Sequence, residues 1–311
     1  MTSRKLKFWG WGFEGTLLTA NEIALLEGNY AKHLGMSGFQ ATPAPKAEEI
    51  SLRKPRLEIP SSLQNFCTTD HYERLLHSYG KSFFDSARAF AREFSNPPDV
   101  IALPRNEQDI VDALDWCGRE NAVAIPFGGG SSVVGGIEPP SGNYADRPVV
   151  TIDLRNLNQV LEIDETSQCA RIQGGMFGPA LEAVLKTKGL TLRHLPQSFE
   201  FSTLGGWIVT RGGGHYATLY THIDDLVESV RAVTPAGVME SRRLPGSGAG
   251  PSPDRMMIGS EGTLGIVTEA WMRLRKRPTF RANTSVRFKD FYKAAECVRA
   301  ITQANLYPSN C

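Results

Sequence analysis

The chain has 311 residues, 41% of them hydrophobic and 22% charged, a balance that excludes a disordered or fibrous chain and leaves room for two domains. Its 34 Lys and Arg offset 33 Asp and Glu to a net charge of +1, so no overall field draws it to nucleic acid and any phosphate must be met locally. Five cysteines at 67, 117, 169, 297 and 311 are scattered without a CxxC pair, which argues against a zinc site or a disulfide framework and fits a reducing compartment.

In chain order, the N-terminal "MTSRKLKFWGWGFEG" has no apolar core of a signal peptide. No apolar run reaches the roughly 18 residues that span a bilayer. A soluble, cytoplasmic protein is therefore expected. Residues 1–95 read as an arm, with helical patterns in "ANEIALLEGNYAKHLG" and "HYERLLHSYGKSFFDSARAFAREF" on either side of a Pro-punctuated linker. "PDVIALP" then reads as a strand, and Asn106 with Asp109 as a capping-box-like helix start. Ile110, Leu114 and Cys117 mark that helix's apolar face, and "AVAIP" is a second strand, completing a βαβ unit. Ligands bind off the carboxyl ends of such strands, where "PFGGGSSVVGG" begins.

Beyond the glycines the period changes to two: "VVTIDLRN", "VLEID", "CARIQGG", "WIVTR", "VESVRAVTPAG" and "GIVTEAWMRLRK" predict a larger, mainly antiparallel sheet. "MFGPALEAVLKTKG" interrupts them as a helix with Leu181, Val184 and Leu185 on one face and Gly189 as its stop. The fold class expected is α+β, with the two subdomains spanning residues 96–277. From 284, "TSVRF" and "FYKAAECVRAITQA" predict a strand and a helix that open a further domain over 278–311. That domain is expected to be incomplete and the chain cut within it.

The glycine loop is no nucleotide-triphosphate P-loop, because GxxxxGK[ST] is absent, and it is no strict GxGxxG. Bare N–H groups after a strand suit a phosphate, with a structural bend as the plainer reading. Two more glycine clusters, "FSTLGGWIVTRGGGHY" and "IGSEGTLGIVTEA", imply a long ligand of dinucleotide size.

Together these segments resemble the flavin-contacting segments of the vanillyl-alcohol oxidase and para-cresol methylhydroxylase (PCMH) type FAD-binding domain. Within that superfamily, Trp207 with "TRGGG", "QSFEFST", "KFWGWGFEG" and "RKPRLEIPSSL" are similar to the alkyldihydroxyacetonephosphate synthase family, whose members are considerably longer. The resemblance implies FAD as cofactor. It places the FAD diphosphate on Pro126, Phe127, Gly128, Gly129, Gly130, Ser131 and Ser132. Gln197, Ser198, Phe199, Glu200, Phe201, Ser202 and Thr203 would run beside the flavin, with Thr203 near its reactive edge. Thr210, Arg211, Gly212 and Gly213 would complete the pocket with Glu261, Gly262, Thr263, Leu264, Gly265, Ile266 and Val267. Covalent attachment in this superfamily often uses a His in the diphosphate loop, and 126–136 contains none, so noncovalent FAD is expected.

The family reaction exchanges the acyl group of acyl-dihydroxyacetone phosphate for a fatty alcohol at flavin, without net redox change, in ether-lipid synthesis. The family's substrate-phosphate Arg, catalytic Tyr and consecutive His lie beyond Cys311, so catalytic residues are not assigned and no turnover is expected of these 311 residues. The implied partner is a small-molecule or lipid-phosphate substrate, with no nucleic acid and no metal; peripheral membrane contact and a homodimer stay open. Two alternatives stand beside this reading: a flavin dehydrogenase of a 2-hydroxy acid, favoured by "GSEGTLGIVTEA" but not by Trp207 and Arg211, and a non-catalytic FAD-binding fragment. Among the remaining residues, Arg211 suits either a phosphate or a surface ion pair, and His215 invites a base role. His194, His222, Tyr216 and Tyr220 read as structural or surface residues, and Asp224 with Asp225 as one cap and one solvated carboxylate.

Overall fold

A computed structural model describes residues 5–38, 40–215, 219, 222–244 and 248–309. Tyr216, Tyr220 and Cys311 lie outside them. The chain divides into two compact units, one of residues 1–102, 115–125 and 130–151 and the other of 103–114, 126–129 and 152–311.

In the first unit α1 (Ala20–Leu34) starts in a capping box of Thr19 with Glu22 and ends at Gly35, whose φ of 63° is the left-handed stop glycine favours; none of its residues is buried. The single helical pattern expected from residue 71 is two helices, α2 (His71–Leu76) and α3 (Phe83–Phe90), each with its own cap at Asp70 and Ser82. Their apolar faces close a core of Phe8, Ile50, Leu75, Leu76, Tyr79, Ala89 and Phe94. The linker is anchored by buried Asp99, which pairs with Arg53 and Arg56 and accepts the Arg56 and Val149 amides at 2.8 Å each.

A four-stranded sheet has the order β1 (Cys67–Thr68), β2 (Val100–Ala102), β4 (Val149–Asp153), β3 (Val123–Phe127). The helix between β2 and β3 is α4 (Glu107–Arg119). Asn106 caps it by accepting the Asp109 amide at 2.9 Å, while the Asp109 carboxylate accepts from the Arg105 amide, a variation on the box read from the sequence. "VVTID" is thus β4 of this sheet rather than part of the larger one.

The second unit is built on an antiparallel sheet of order β5 (Val160–Asp164), β6 (Cys169–Gln173), β10 (Ile266–Arg273), β8 (Val227–Thr234), β9 (Gly237–Glu240). Alternation along β10 sends Ala270 and Met272 into the core and leaves Glu269, Trp271 and Arg273 on the polar face. There Glu107 accepts from Arg231 at 2.8 Å and from the Thr268 hydroxyl at 2.6 Å, holding the start of α4. The apolar face is covered by α5 (Gly178–Lys186), through Leu181 and Leu185, and by α6 (Leu204–Val209). β7 (Leu190–Thr191) pairs with β11 (Arg275–Lys276), and α7 (Pro253–Met257) precedes the last glycine cluster.

Three further expectations are corrected. "WIVTR" is largely helix α6, because Leu204, Trp207 and Ile208 fall at i, i+3 and i+4 and bury together. Val184 is 38% exposed, since α5 turns only its Leu181 and Leu185 side inward. "TSVRF" is no strand: no described strand pairs with it, and Val286 stands 67% exposed ahead of α8 (Phe291–Gln303), which buries no residue. Among the described residues no helix is long and apolar enough to cross a membrane.

Candidate functional site

The end of β3 is where the second unit's segments crowd together. A Cβ on Gly128 would lie 2.3 Å from the Thr203 hydroxyl oxygen, and one on Gly129 only 1.9 Å from the Phe201 carbonyl oxygen. Neither position tolerates a side chain, because the Thr203 side chain fills the space at Gly128 and the backbone of 201–202 that at Gly129. The pair therefore serves close approach of protein to protein. A side chain at Gly129 would collide with residues 201–202. Gly130 does the turning, with a φ of 69°.

The same fit recurs behind it. Gly174 would meet the Val267 carbonyl at 2.3 Å, its amide donates to the Thr268 carbonyl at 2.7 Å, and its carbonyl accepts the Gly205 amide at 2.7 Å. Gly178 would strike the Phe199 ring at 2.5 Å, and Gly262 approaches Pro126 at 3.2 Å. Four stretches from distant parts of the sequence, 126–129, 174–178, 199–206 and 262–268, are thereby packed closely, their glycines leaving room for backbone or for the Thr203, Phe199 and Pro126 side chains. The glycines in "CARIQGG" belong to this arrangement as well as closing a strand, and a Gly-Gly pair at a strand's end is the sign of it in the sequence.

Polar groups inside this packing are unevenly satisfied. The Trp207 indole donates to the Ser202 hydroxyl at 2.7 Å, Ser202 donates to the Ser198 carbonyl at 2.8 Å, and Phe199 stacks on Trp207 at 6.1 Å. Thr203, 1% exposed, precedes α6 without capping it, and its hydroxyl has no partner among the described residues. His194, 4% exposed, lies 5.1 Å from the Trp207 ring, and its Nε2 is likewise unpartnered. Burial pushes the His194 imidazole down to about 4, so it is neutral at pH 7. An orphaned buried polar group costs about 1–3 kcal/mol. Two so close to the glycine stack fit a site whose polar partner comes from a ligand.

Backbone strain is present in the same segments. Arg211 and Glu261 hold φ of 53° and 55°, unusual for residues with a Cβ. The Glu261 amide donates to the Val209 carbonyl at 2.8 Å and the Gly259 amide to the Ile208 carbonyl at 3.1 Å, so the 258–267 turn is tied to α6. Arg211 pairs with Asp224 at 3.0 Å, and Arg255 pairs with the same carboxylate at 2.5 Å. Burial alone would raise the Asp224 carboxyl, but the Arg211 bond and both guanidinium charges hold it below its ordinary value.

Of the residues singled out from sequence, Pro126–Gly129, Ser198–Thr203, Gly212 and Gly262–Val267 share this neighbourhood in the second unit, while Gln197 and Glu200 are exposed. Gly130, Ser131 and Ser132 belong to the first unit. The His215 amide donates to the Leu195 carbonyl at 3.0 Å and His222 is exposed. A cavity of about 300 Å³ elsewhere in the second unit, lined among others by Lys186, Arg193, Arg277 and Glu182, shares only Phe199 with these segments. No group of acidic, His or Cys side chains able to hold a metal occurs among the described residues.

The family described as FAD binding domain matches residues 98–241. The chain is 35% identical to the alkyldihydroxyacetonephosphate synthase of Dictyostelium discoideum, covering 98% of this chain and 54% of that protein. It is 29% identical to glycolate oxidase subunit GlcD of Bacillus subtilis over 78% of this chain and 52% of the relative. A solved alkyldihydroxyacetonephosphate synthase superposes with a TM-score of 0.85 at 34% identity, covering 98% of this chain and 59% of that one. The chain spans about half the length of the curated relatives it matches.

Proposed function

We propose that the chain is a member of the FAD-binding flavoproteins that include the alkyldihydroxyacetonephosphate synthases and that it holds FAD noncovalently for acyl-to-alkyl exchange on a dihydroxyacetone phosphate ester. Residues 126–132 cradle the diphosphate, residues 197–203 run along the flavin, and 210–213 with 261–267 close the pocket. In the exchange the bond from the substrate carbon to the acyloxy oxygen breaks, a fatty acid leaves, and an ether bond to a fatty alcohol forms with no net oxidation. FAD, when bound, supplies an electrophilic ring for the substrate carbon. The protein's part is to exclude water and to hold polar atoms at the ring.

The observation that carries the reading is the unpartnered Thr203 hydroxyl, buried against Gly128 at the end of β3. Noncovalent attachment rests on the absence of His from 126–136. Acid precipitation of the purified yellow protein should release all flavin to the supernatant, and flavin retained in the pellet would contradict the noncovalent site. A second reading, oxidation of a 2-hydroxy acid, is kept by the likeness to the glycolate oxidase subunit. Tested on a chain of the relatives' full length, anaerobic D-lactate or glycolate should leave the visible flavin band intact, while acyl-dihydroxyacetone phosphate should perturb it; bleaching by a 2-hydroxy acid would move the assignment to the oxidoreductases.

A further inference from the structure

Within the first unit, the second half of the glycine loop is held at both ends by α3 and the turn before it. The Lys81 amide donates to the Ser132 carbonyl at 2.7 Å. That approach requires Gly80, where a Cβ would sit 2.2 Å from the same oxygen. At the far end, Arg88 places both terminal nitrogens on the Glu138 carboxylate, at 2.6 and 2.9 Å. It lies 4.0 Å from the Tyr79 ring and bonds Asp85 at 2.7 Å, while Asp85 itself accepts the Ser82 amide at 2.9 Å. Between the two anchors, the Ser132 hydroxyl accepts from the Gly136 amide at 3.1 Å and the Glu138 amide donates to the Gly135 carbonyl at 3.2 Å.

The anchor is itself tied back to the arm. Lys81 is 8% exposed, its ammonium donates to the Lys7 carbonyl at 2.8 Å, and its own carbonyl accepts from the Trp11 indole at 3.0 Å. Burial pushes this ammonium down to about 8, with Asp85 partly opposing the shift. A buried side chain used in this way fixes a geometry, and a two-pronged Arg–carboxylate pair adds direction as well as energy.

We propose that Lys81, Arg88 and Glu138 are positioning residues that clamp residues 132–138 and so pre-set the adjoining 130–132 stretch of the same unit to receive a diphosphate. The inference rests on the reading of 126–132 as the diphosphate cradle. A loop already held in its binding conformation loses less entropy when the anion arrives, and the saving appears as affinity. It follows that the loss on breaking the clamp is confined to the diphosphate. FAD weakens, whereas riboflavin, which has no phosphate, does not.

The test is a double-mutant cycle on the full chain with Arg88→Met, Glu138→Gln and the double variant. Dissociation constants of FAD and riboflavin are measured by flavin fluorescence, and apo-protein melting is followed in parallel. Each single variant should weaken FAD about tenfold, as expected for a lost charge-assisted pair. The double variant should be no worse than Arg88→Met alone, since the Arg88–Glu138 pair is already lost there. Riboflavin affinity should not move, and Arg88→Lys should recover part of the loss. Equal weakening of FAD and riboflavin in step with the melting temperature would reduce the pair to a structural role and overturn the proposal. If unaltered protein binds riboflavin as tightly as FAD, the cradle reading fails and the clamp with it. If FAD is far the tighter ligand and the variants leave that ratio unchanged, only the clamp is overturned.

Discussion

Thr203 and Asp99 show two opposite fates of a buried polar side chain. The Thr203 hydroxyl is 1% exposed as a residue and bonds nothing among the described residues, so Thr203→Val should leave apo-protein stability unchanged or raise it by up to about 1 kcal/mol. FAD affinity should fall roughly tenfold in the same variant, because the ligand loses its partner. Urea unfolding of apo protein and a flavin titration check the two halves, and an apo form destabilised by the substitution would mean that the hydroxyl has a partner inside the protein. Asp99 is fully satisfied instead. Burial alone would push its carboxyl up, but Arg53, Arg56 and the Val149 and Arg56 amides outweigh that and bring it from 3.8 to about 2. Its folded value is the lower one, so its contribution is complete above pH 3.8 and is lost as pH falls through about 2. That contribution is about 2 kcal/mol at neutral pH, and in Asp99→Asn the acid arm of the stability curve should be flatter between pH 4 and 2. Equal acid sensitivity of the two proteins in chemical denaturation would contradict it.

Among the elements, α6 best separates what the sequence discloses from what it hides. The β-branched run in "WIVTR" looks like a strand locally; the helical spacing shows only once Leu204 is included, and Gly174, some thirty residues earlier, supports the helix by close approach. It accepts the Gly205 amide and leaves 3.0 Å for any Cβ there. Long-range backbone contact of that kind has no local periodicity. By contrast α1, α4, α5, α8 and strands β2, β3, β5, β6, β8 and β10 were legible, since caps and apolar spacing are written within each segment. The glycine loop was legible as a special backbone, but the work of Gly128 and Gly129, contact with 201–203, was not, because their partners are remote. Lys81 and Arg88 were missed for the same reason: helix spacing explains α3 and says nothing of Ser132 or Glu138. Gly205→Val should cost roughly 2–3 kcal/mol by pushing α6 off Gly174. Hydrogen exchange should show the Leu204–Val209 amides losing protection before those of β6 and β10. Protection lost evenly across the unit would count against a local effect.

For the molecule as a whole, each unit has its own buried core, and the stretch from 278 to 290 contains no regular element. The helix after it buries no residue. Limited proteolysis should therefore cut first within 278–290 and leave a resistant product ending near Arg277, whose amide donates to the Gly189 carbonyl at 2.8 Å and whose guanidinium bonds Glu182 at 3.0 Å. Early cleavage inside 98–241 would contradict this order. The exposed helix α8 also offers a chemical handle. Cys67, Cys117 and Cys169 are buried, and burial pushes the Cys117 and Cys169 thiols up to about 12 and 11, where little reactive thiolate forms at neutral pH. Cys297, on α8, is the partly exposed one among the four described. A maleimide dye added briefly at neutral pH should mark α8 ahead of those three, and its fluorescence anisotropy would then report whether that helix tumbles with the rest of the chain or on its own.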